Sequence, residues 1–185
     1  TLFNLLHAIH GQIAWEPKAA RAMIVKLGDL LRRLLKAGER DFSTLADEMQ
    51  FVRLYLDLQQ QRFADRLSVL LPIPESLPTV WVPSLILQPL VENAVVHGLA
   101  RHDGPVSVRV EAQLMGEKLI LRVVNTAAIA TGIGSGEGVG TRNVRERLAV
   151  QFGARATFSS RAAEGGVWCA EILLPVLRDA GASVS

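Results

Sequence analysis

The sequence predicts an α+β protein: an N-terminal helical hairpin followed by a two-layer α/β sandwich, with helices covering one face of a mixed sheet. Three observations carry that expectation. Residues 2–66 hold apolar side chains at three- and four-residue spacing with one proline interruption. Beyond Leu67 the texture changes to short segments bounded by prolines and then to alternating apolar and polar runs. Two further helical patterns sit among those runs, the second directly after a glycine-rich stretch.

The hairpin is read as follows. Leu2, Phe3, Leu5, Leu6, Ile9 and Ile13 follow a helical period up to Glu16-Pro17, where the helix kinks or a second one begins. Ala20, Met23, Ile24, Leu27, Leu30, Leu31, Leu34 and Leu35 then repeat with near-heptad spacing, a stripe too wide for one partner. Gly38 is the expected stop, and Thr44 with Asp47 makes a weak capping box for a helix over residues 45–66, whose buried face is Leu45, Met49, Val52, Leu56 and Phe63. Two such helices leave apolar surface uncovered, which a homodimer in the form of a four-helix bundle would bury; folding back onto the rest of the chain is the alternative.

The organising stretch of the second part is residues 85–98, LILQPLVENAVVHG. Leu87, Leu90, Val91, Ala94 and Val95 form one apolar face of a helix, leaving Glu92, Asn93 and His97 outside it. Asn93 and His97 are four residues apart and share a flank, whereas Glu92 points about 100° away from Asn93. Next come two strands in a hairpin, from Val106 and ending at Asn125, around the turn at Met115-Gly116-Glu117. Gly132, Gly134, Gly136, Gly138 and Gly140 follow, then a helix over residues 143–151 and a second hairpin, ATFSS with GVWCAEILLP. A glycine loop running into a helix N-terminus lets free backbone N–H groups approach a phosphate. It is neither a Walker loop nor a Rossmann turn, since Gly-Lys-Ser/Thr and a parallel βαβ unit are both lacking.

Composition narrows the function classes. With 185 residues, 49% of them apolar, the chain can bury a substantial core. Twenty basic and 18 acidic residues leave a net charge of +2, and only 5% are aromatic, so nucleic acid is not an expected partner. Cys169 is the only cysteine, which excludes an internal disulfide and suits a reducing cytosol. No run of about 18 apolar residues and no signal peptide are present. The chain lacks an initiator Met and opens on a helical pattern, so it is read as the C-terminal part of a longer protein.

Taken in order, VENAVVHG, a strand ending in VVN, GEGVGTRNVRERLAVQFG and EGGVWCAEILLP resemble the catalytic domain of LytS-like sensor histidine kinases, a branch of the gyrase, MutL and histidine-kinase ATPase superfamily. TLFNLLHAIH, LGDLLRRLL and LADEMQFVRLYLDLQQQRF resemble that branch's dimerisation helices. The resemblance covers nearly the whole chain. It implies a Bergerat-type ATP-binding fold over residues 67–178, a dimerisation hairpin over 1–66 and a polar tail over 179–185. The implied cofactors are ATP and Mg²⁺, and the implied partners are a second copy and a response-regulator receiver domain. The implied location is cytoplasmic, with any attachment to the inner face of the cell membrane supplied by the upstream region.

By the same resemblance, Asn93 would help hold Mg²⁺ on the ATP phosphates, an oxygen-ligand role suited to a hard cation. His97 would line the site, with Glu92 as a catalytic or acceptor-side acid. Asn125 would accept from the adenine amino group where many relatives carry Asp. Gly136, Gly138, Gly140 and Thr141 would lie on the phosphate side, residues 131–135 would form the lid, and Asn143 and Arg147 would begin the helix beneath it. Three departures limit the chemistry. Val96 replaces a frequent phosphate-contacting Lys, Thr141 replaces a usual Leu, and Pro89 stands where hydrolysing relatives carry the Glu that activates water. Transfer to a positioned nucleophile is therefore favoured over hydrolysis. In the branch the phosphorylated His sits in a Pro-His-Phe triplet before Leu-Phe-Asn. Here Leu2-Phe3-Asn4 follows Thr1, so the matching His falls one residue before the chain begins, and His7 and His10 are out of register. A nucleotide-sensing or non-catalytic dimeric scaffold stays open as the alternative.

Overall fold

A computed structural model describes residues 2–72, 79–101, 104–126, 139–163 and 167–179. Helix α1 (Leu2–Ile13) and helix α2 (Pro17–Gly38) are separate, with Pro17 in the first turn of α2 and the Glu16 carbonyl accepting from Ala20 N–H at 3.0 Å. Proline lacks only an N–H that a first turn leaves unpaired, so the sequence break begins a helix rather than kinking one. Leu5 and Ile9 of α1 and Ala20, Met23, Leu27 and Leu30 of α2 are buried. Of the rest of the wide stripe, Leu34 is half-buried and Ile24, Leu31 and Leu35 are exposed, along with Leu6, Ile13 and Trp15. α2 ends at Gly38 as expected, but with Glu39 in right-handed conformation at the cap, so glycine's left-handed freedom is not what stops it.

Strand β1 (Phe42–Thr44) leads straight into helix α3 (Leu45–Phe63). Thr44 Oγ1 accepts from Asp47 N–H at 3.1 Å and donates to the Asp47 carboxylate at 2.8 Å, so the expected cap is present. The sequence expectation groups α3 with α2 in a hairpin set apart from the sandwich. In the structure α3 packs on α2, and also on strand β2 (Leu67–Leu70) and helix α4 (Gln88–Arg101). Phe51, Tyr55, Leu58 and Gln59 are buried in addition to the expected stripe, because α3 has neighbours on both sides. Contacts thus cross residue 66, and β1 itself pairs antiparallel with strand β3 (Trp81–Pro83), which lies outside the main sheet.

The main sheet has five strands in the order β2-β4-β5-β7-β6, with β4 (Val106–Met115), β5 (Lys118–Asn125), β6 (Thr157–Ala163) and β7 (Val167–Pro175). β2 runs parallel to β4, and every other neighbouring pair is antiparallel, so both predicted hairpins form and the sheet is mixed. Strand alternation sends one set of side chains to the helix face. Val106, Val108, Val110 and Ala112 of β4, Leu119, Leu121 and Val123 of β5, and Ala170, Ile172 and Leu174 of β7 are all buried. Helices α4 and α5 (Val139–Phe152) lie over that face, α4 against β4 and β5 and α5 against β6. The other face carries an ionic row, with Arg109 paired to Glu111 at 3.0 Å and Arg122 paired to Glu171.

Both site helices start elsewhere than the pattern suggests. α4 begins at Gln88, because Leu85 adopts a left-handed φ of +59° and Leu87 supplies the first accepting carbonyl, bonded by Val91 N–H at 3.0 Å. α5 begins at Val139 rather than Asn143, which places Gly140 and Thr141 inside its first turn. No described helix is long and apolar enough to cross a membrane.

Candidate nucleotide site between α4 and α5

Leu87, Leu90, Val91, Ala94 and Val95 are all buried, so the apolar face of the stretch anchors α4 beneath the sheet as expected. Each large aliphatic side chain so buried stabilises the fold by about 1.5–3 kcal/mol. What remains of α4 defines the site. Asn93 and Glu92 are half-buried, and Val96 and His97 are exposed. Glu92 accepts from Gln88 Nε2 one turn earlier at 2.9 Å, which turns its carboxylate along the helix.

The first turn of α5 meets this surface. A Cβ at Gly140 would stand 3.3 Å from Pro89 Cβ and 3.6 Å from Asn93 Nδ2, so the glycine lets the two helices approach at the point where Asn93 emerges. Between them lies a cavity of about 290 Å³ lined in part by Gln88, Pro89, Glu92, Gly140, Asn143 and Arg147. Gly140, Asn143 and Arg147 are three and four residues apart and share a face of α5. The helix N-terminus adds the backbone N–H groups of a first turn and a positive dipole end at that point.

Asn125 occupies the other end. It is the last residue of β5 and continues the inward series Leu119, Leu121 and Val123, so strand alternation aims its side chain at α4. It is only 2% exposed, and its Nδ2 donates to the Ala94 carbonyl. A Cβ at Gly98 would stand 2.5 Å from that nitrogen and 2.8 Å from Val106 Cγ1.

The structure therefore gathers Glu92, Asn93, Gly140, Asn143 and Arg147 around one junction, with Asn125 under the middle of α4. His97 is on the exposed flank beyond Asn93, and Thr141 is buried beneath the α5 first turn. Gly136, Gly138 and the expected lid over residues 131–135 fall outside the described residues. Arg147 does not reach outward: its guanidinium donates to the Ser84 carbonyl and, at 3.3 Å, to the Asp41 carbonyl. Among the described residues no group of three His, Cys, Asp or Glu side chains is placed to hold a metal ion. The oxygen of Asn93 beside a helix N-terminus does suit a magnesium ion whose remaining ligands are phosphate oxygens and water.

One residue of the junction is absent from the sequence expectations. Glu48 of α3 is 2% exposed and accepts from Leu85 N–H at 2.7 Å, Ser43 Oγ at 2.9 Å and Leu87 N–H at 3.4 Å. Burial raises its pKa above the ordinary carboxylate value, and these hydrogen bonds offset part of the shift. Its signal in the sequence is a charge inside an apolar stripe, three residues after Leu45 and four before Val52. Tyr55 on the same helix has a phenol pKa raised first by burial and then by the negative charge of Glu92, which places α3 beside the acid of α4.

Known proteins agree with this architecture. The family model for histidine kinases matches residues 1–67. The chain is 34% identical over 152 residues to the sensor histidine kinase BtsS of Escherichia coli, an alignment covering 82% of this chain and 27% of that protein. It is 31% identical over 157 residues to the sensor histidine kinase YesM of Bacillus subtilis, again 82% and 27%. The chain thus spans about a quarter of the length of these relatives. Among solved structures, it resembles the Acinetobacter baumannii histidine kinase AdeS with a TM-score of 0.54 at 13% identity, covering 95% of each chain. The catalytic domain of the histidine kinase ThkA gives the same TM-score and identity over 72% of this chain and 93% of that one. By its relatives along most of its length and by its fold, this chain belongs to the sensor histidine kinase family.

Proposed function

We propose that this chain is the dimerising and ATP-binding part of a sensor histidine kinase, which moves the γ-phosphoryl group of Mg-ATP to a histidine on the first dimerisation helix, for relay to a response-regulator receiver domain. The observation that carries the reading is the meeting of Asn93 with Gly140 at the N-terminus of α5. An amide oxygen, backbone N–H groups and a helix dipole converge there, which is what a triphosphate needs. The adenine end falls to Asn125, whose Nδ2 is engaged by Ala94, turning the carboxamide so that its oxygen is the accepting edge. A bound Mg²⁺, held by Asn93, would neutralise charge on the β- and γ-phosphates.

Phosphoryl transfer asks the protein mainly for positioning and charge neutralisation. Asn93 and the α5 first turn would hold the phosphates, and Glu92, bonded by Gln88, borders the cavity together with Asn143. Pro89 lies directly against Gly140 and carries no group able to activate water, which favours transfer over hydrolysis. Dimerisation uses the open face of α1 and α2, where Ile24 is 51% and Leu35 is 74% exposed. The chain works in the cytoplasm, and any membrane anchor belongs to the upstream region.

Calorimetric titration of Mg-ATP into the wild-type chain and Asn93→Ala tests the site: micromolar binding lost in the variant supports it, and absence of wild-type binding refutes it. Extending the chain upstream by about ten residues and assaying acid-labile phosphate tests transfer. A nucleotide-sensing scaffold without transfer is the second reading, favoured by Val96, which is 44% exposed and offers no cation to a phosphate. An extended protein that binds Mg-ATP yet stays unphosphorylated would select it.

A further inference from the structure

The link between β3 and α4 is gripped from two sides by charged groups that come from other parts of the chain. From α3, the buried Glu48 carboxylate takes the Leu85 and Leu87 N–H groups. From α5, the Arg147 guanidinium takes the Ser84 carbonyl, and its second nitrogen takes the Asp41 carbonyl, which also accepts Ser84 N–H at 3.0 Å. Opposite charges thus grip the two ends of the Ser84–Leu85 peptide, the cation on its carbonyl and the anion on its N–H, and the anion also reaches the Leu87 N–H.

The link needs holding. Leu85 has a left-handed φ of +59°, a conformation that a branched apolar residue adopts only when its surroundings impose it. Leu87, the residue whose carbonyl opens α4, has no side-chain oxygen to cap the helix. Arg147 lies seven residues beyond Gly140, two turns along the same face of α5, so its bond to Ser84 and the approach of Gly140 to Pro89 and Asn93 are two contacts of one helix with the start of α4. Misplacement by an ångström at a reacting centre costs about 100-fold in rate.

We propose that Glu48 and Arg147 are positioning residues for the nucleotide reaction: the clamp they form on residues 84–87 sets the separation between Asn93 on α4 and the first turn of α5. Arg147 therefore serves the phosphate end through the backbone it holds and not by contact with phosphate. The proposal rests on the Mg-ATP reading above. Because Asp41 leaves the end of α2 and enters β1, the same clamp ties the exit of the dimerisation hairpin to the helix that follows the glycine loop.

The test compares the triphosphate with the bare nucleoside. Mg-ATP and adenosine are each titrated into the wild type, Arg147→Met, Arg147→Lys and Glu48→Gln, with circular dichroism to confirm cooperative unfolding. A clamp on the phosphate end lowers Mg-ATP affinity by about tenfold or more in Arg147→Met while adenosine, read by Asn125, loses little, and Arg147→Lys recovers part of the loss through Ser84. Glu48→Gln lowers the same ratio in the same direction. If Arg147→Met does not fold, the two size-conserving variants carry the comparison. An unchanged ratio, or equal losses for both ligands, overturns the clamp. A wild-type chain that binds neither adenosine nor Mg-ATP removes the nucleotide reading, and the clamp's role falls with it.

Discussion

Gly98 and Asn125 touch so closely that any side chain at residue 98 would collide with the carboxamide: a Cβ there would stand 2.5 Å from Nδ2. The same amide is tied to the Ala94 carbonyl on the turn before, so α4 and the end of β5 are locked together by a backbone contact and one hydrogen bond. Gly98→Ala should lower stability by about 1–3 kcal/mol through overpacking. It should also weaken adenosine and Mg-ATP alike, because Asn125 is displaced. Urea unfolding and calorimetry measure the two effects; a stable variant that still binds nucleotide normally would show that the contact is dispensable.

Replacing Asn125 by Asp removes the donor to Ala94 and sets a carboxylate against a carbonyl in a site only 2% exposed. Loss of that bond with burial of an unsatisfied group costs about 1–3 kcal/mol. Asn125→Asp should therefore melt below the wild type at neutral pH and recover on acidification, when the carboxyl protonates and can again donate. Thermal unfolding across pH reads this directly.

Glu48 predicts a second pH dependence. Burial holds its folded pKa above the ordinary value of 4.5, so the folded chain keeps the proton better than the unfolded chain does. Its contribution is then most favourable below the unfolded pKa and declines as pH climbs through the interval up to the folded pKa. Glu48→Gln lacks the ionisation, so its stability relative to wild type should improve as pH rises from the ordinary carboxylate value through the raised folded one. A constant difference across that range would mean that the carboxyl titrates alike in both states.

The open face of the first two helices carries Ile24 and Leu31 beside Leu35. Ile24→Glu with Leu31→Glu should weaken self-association by about tenfold or more, since two charges would be buried in an apolar seam. Sedimentation equilibrium would show it. Adenosine affinity should be unaffected, because Asn125 lies in the sandwich and away from that face. A wild-type chain that is already monomeric at micromolar concentration would argue against the bundle.

Much of this protein is legible in its sequence because short-range periodicity has few solutions. Three- and four-residue spacing specified α1, α2 and α3, alternation specified the β4–β5 and β6–β7 hairpins, and the Thr44 cap sits where Thr44 and Asp47 imply. Asn93 stood out in the sequence as an amide beside an apolar helical stripe, whereas Asn125 was singled out by the family resemblance, and its inward direction came from the strand it ends. Tertiary structure decided what no local pattern encodes. Ile24, Leu31 and Leu35 of the wide stripe on α2 stay exposed because α1 and α3 cover only one side of it, and α3 joins the sandwich through its packing on β2 and α4, while β1 pairs with β3 some 40 residues on. The starts of α4 and α5 moved for similar reasons: a left-handed Leu85 held by a carboxylate from α3, and a first turn admitted by Gly140 against Pro89. Sequence spacing sets which side chains share a face. Which backbone groups a distant Glu48 or Arg147 can reach is set only once the chain has closed on itself, since those bonds link residues 37 and 63 positions apart.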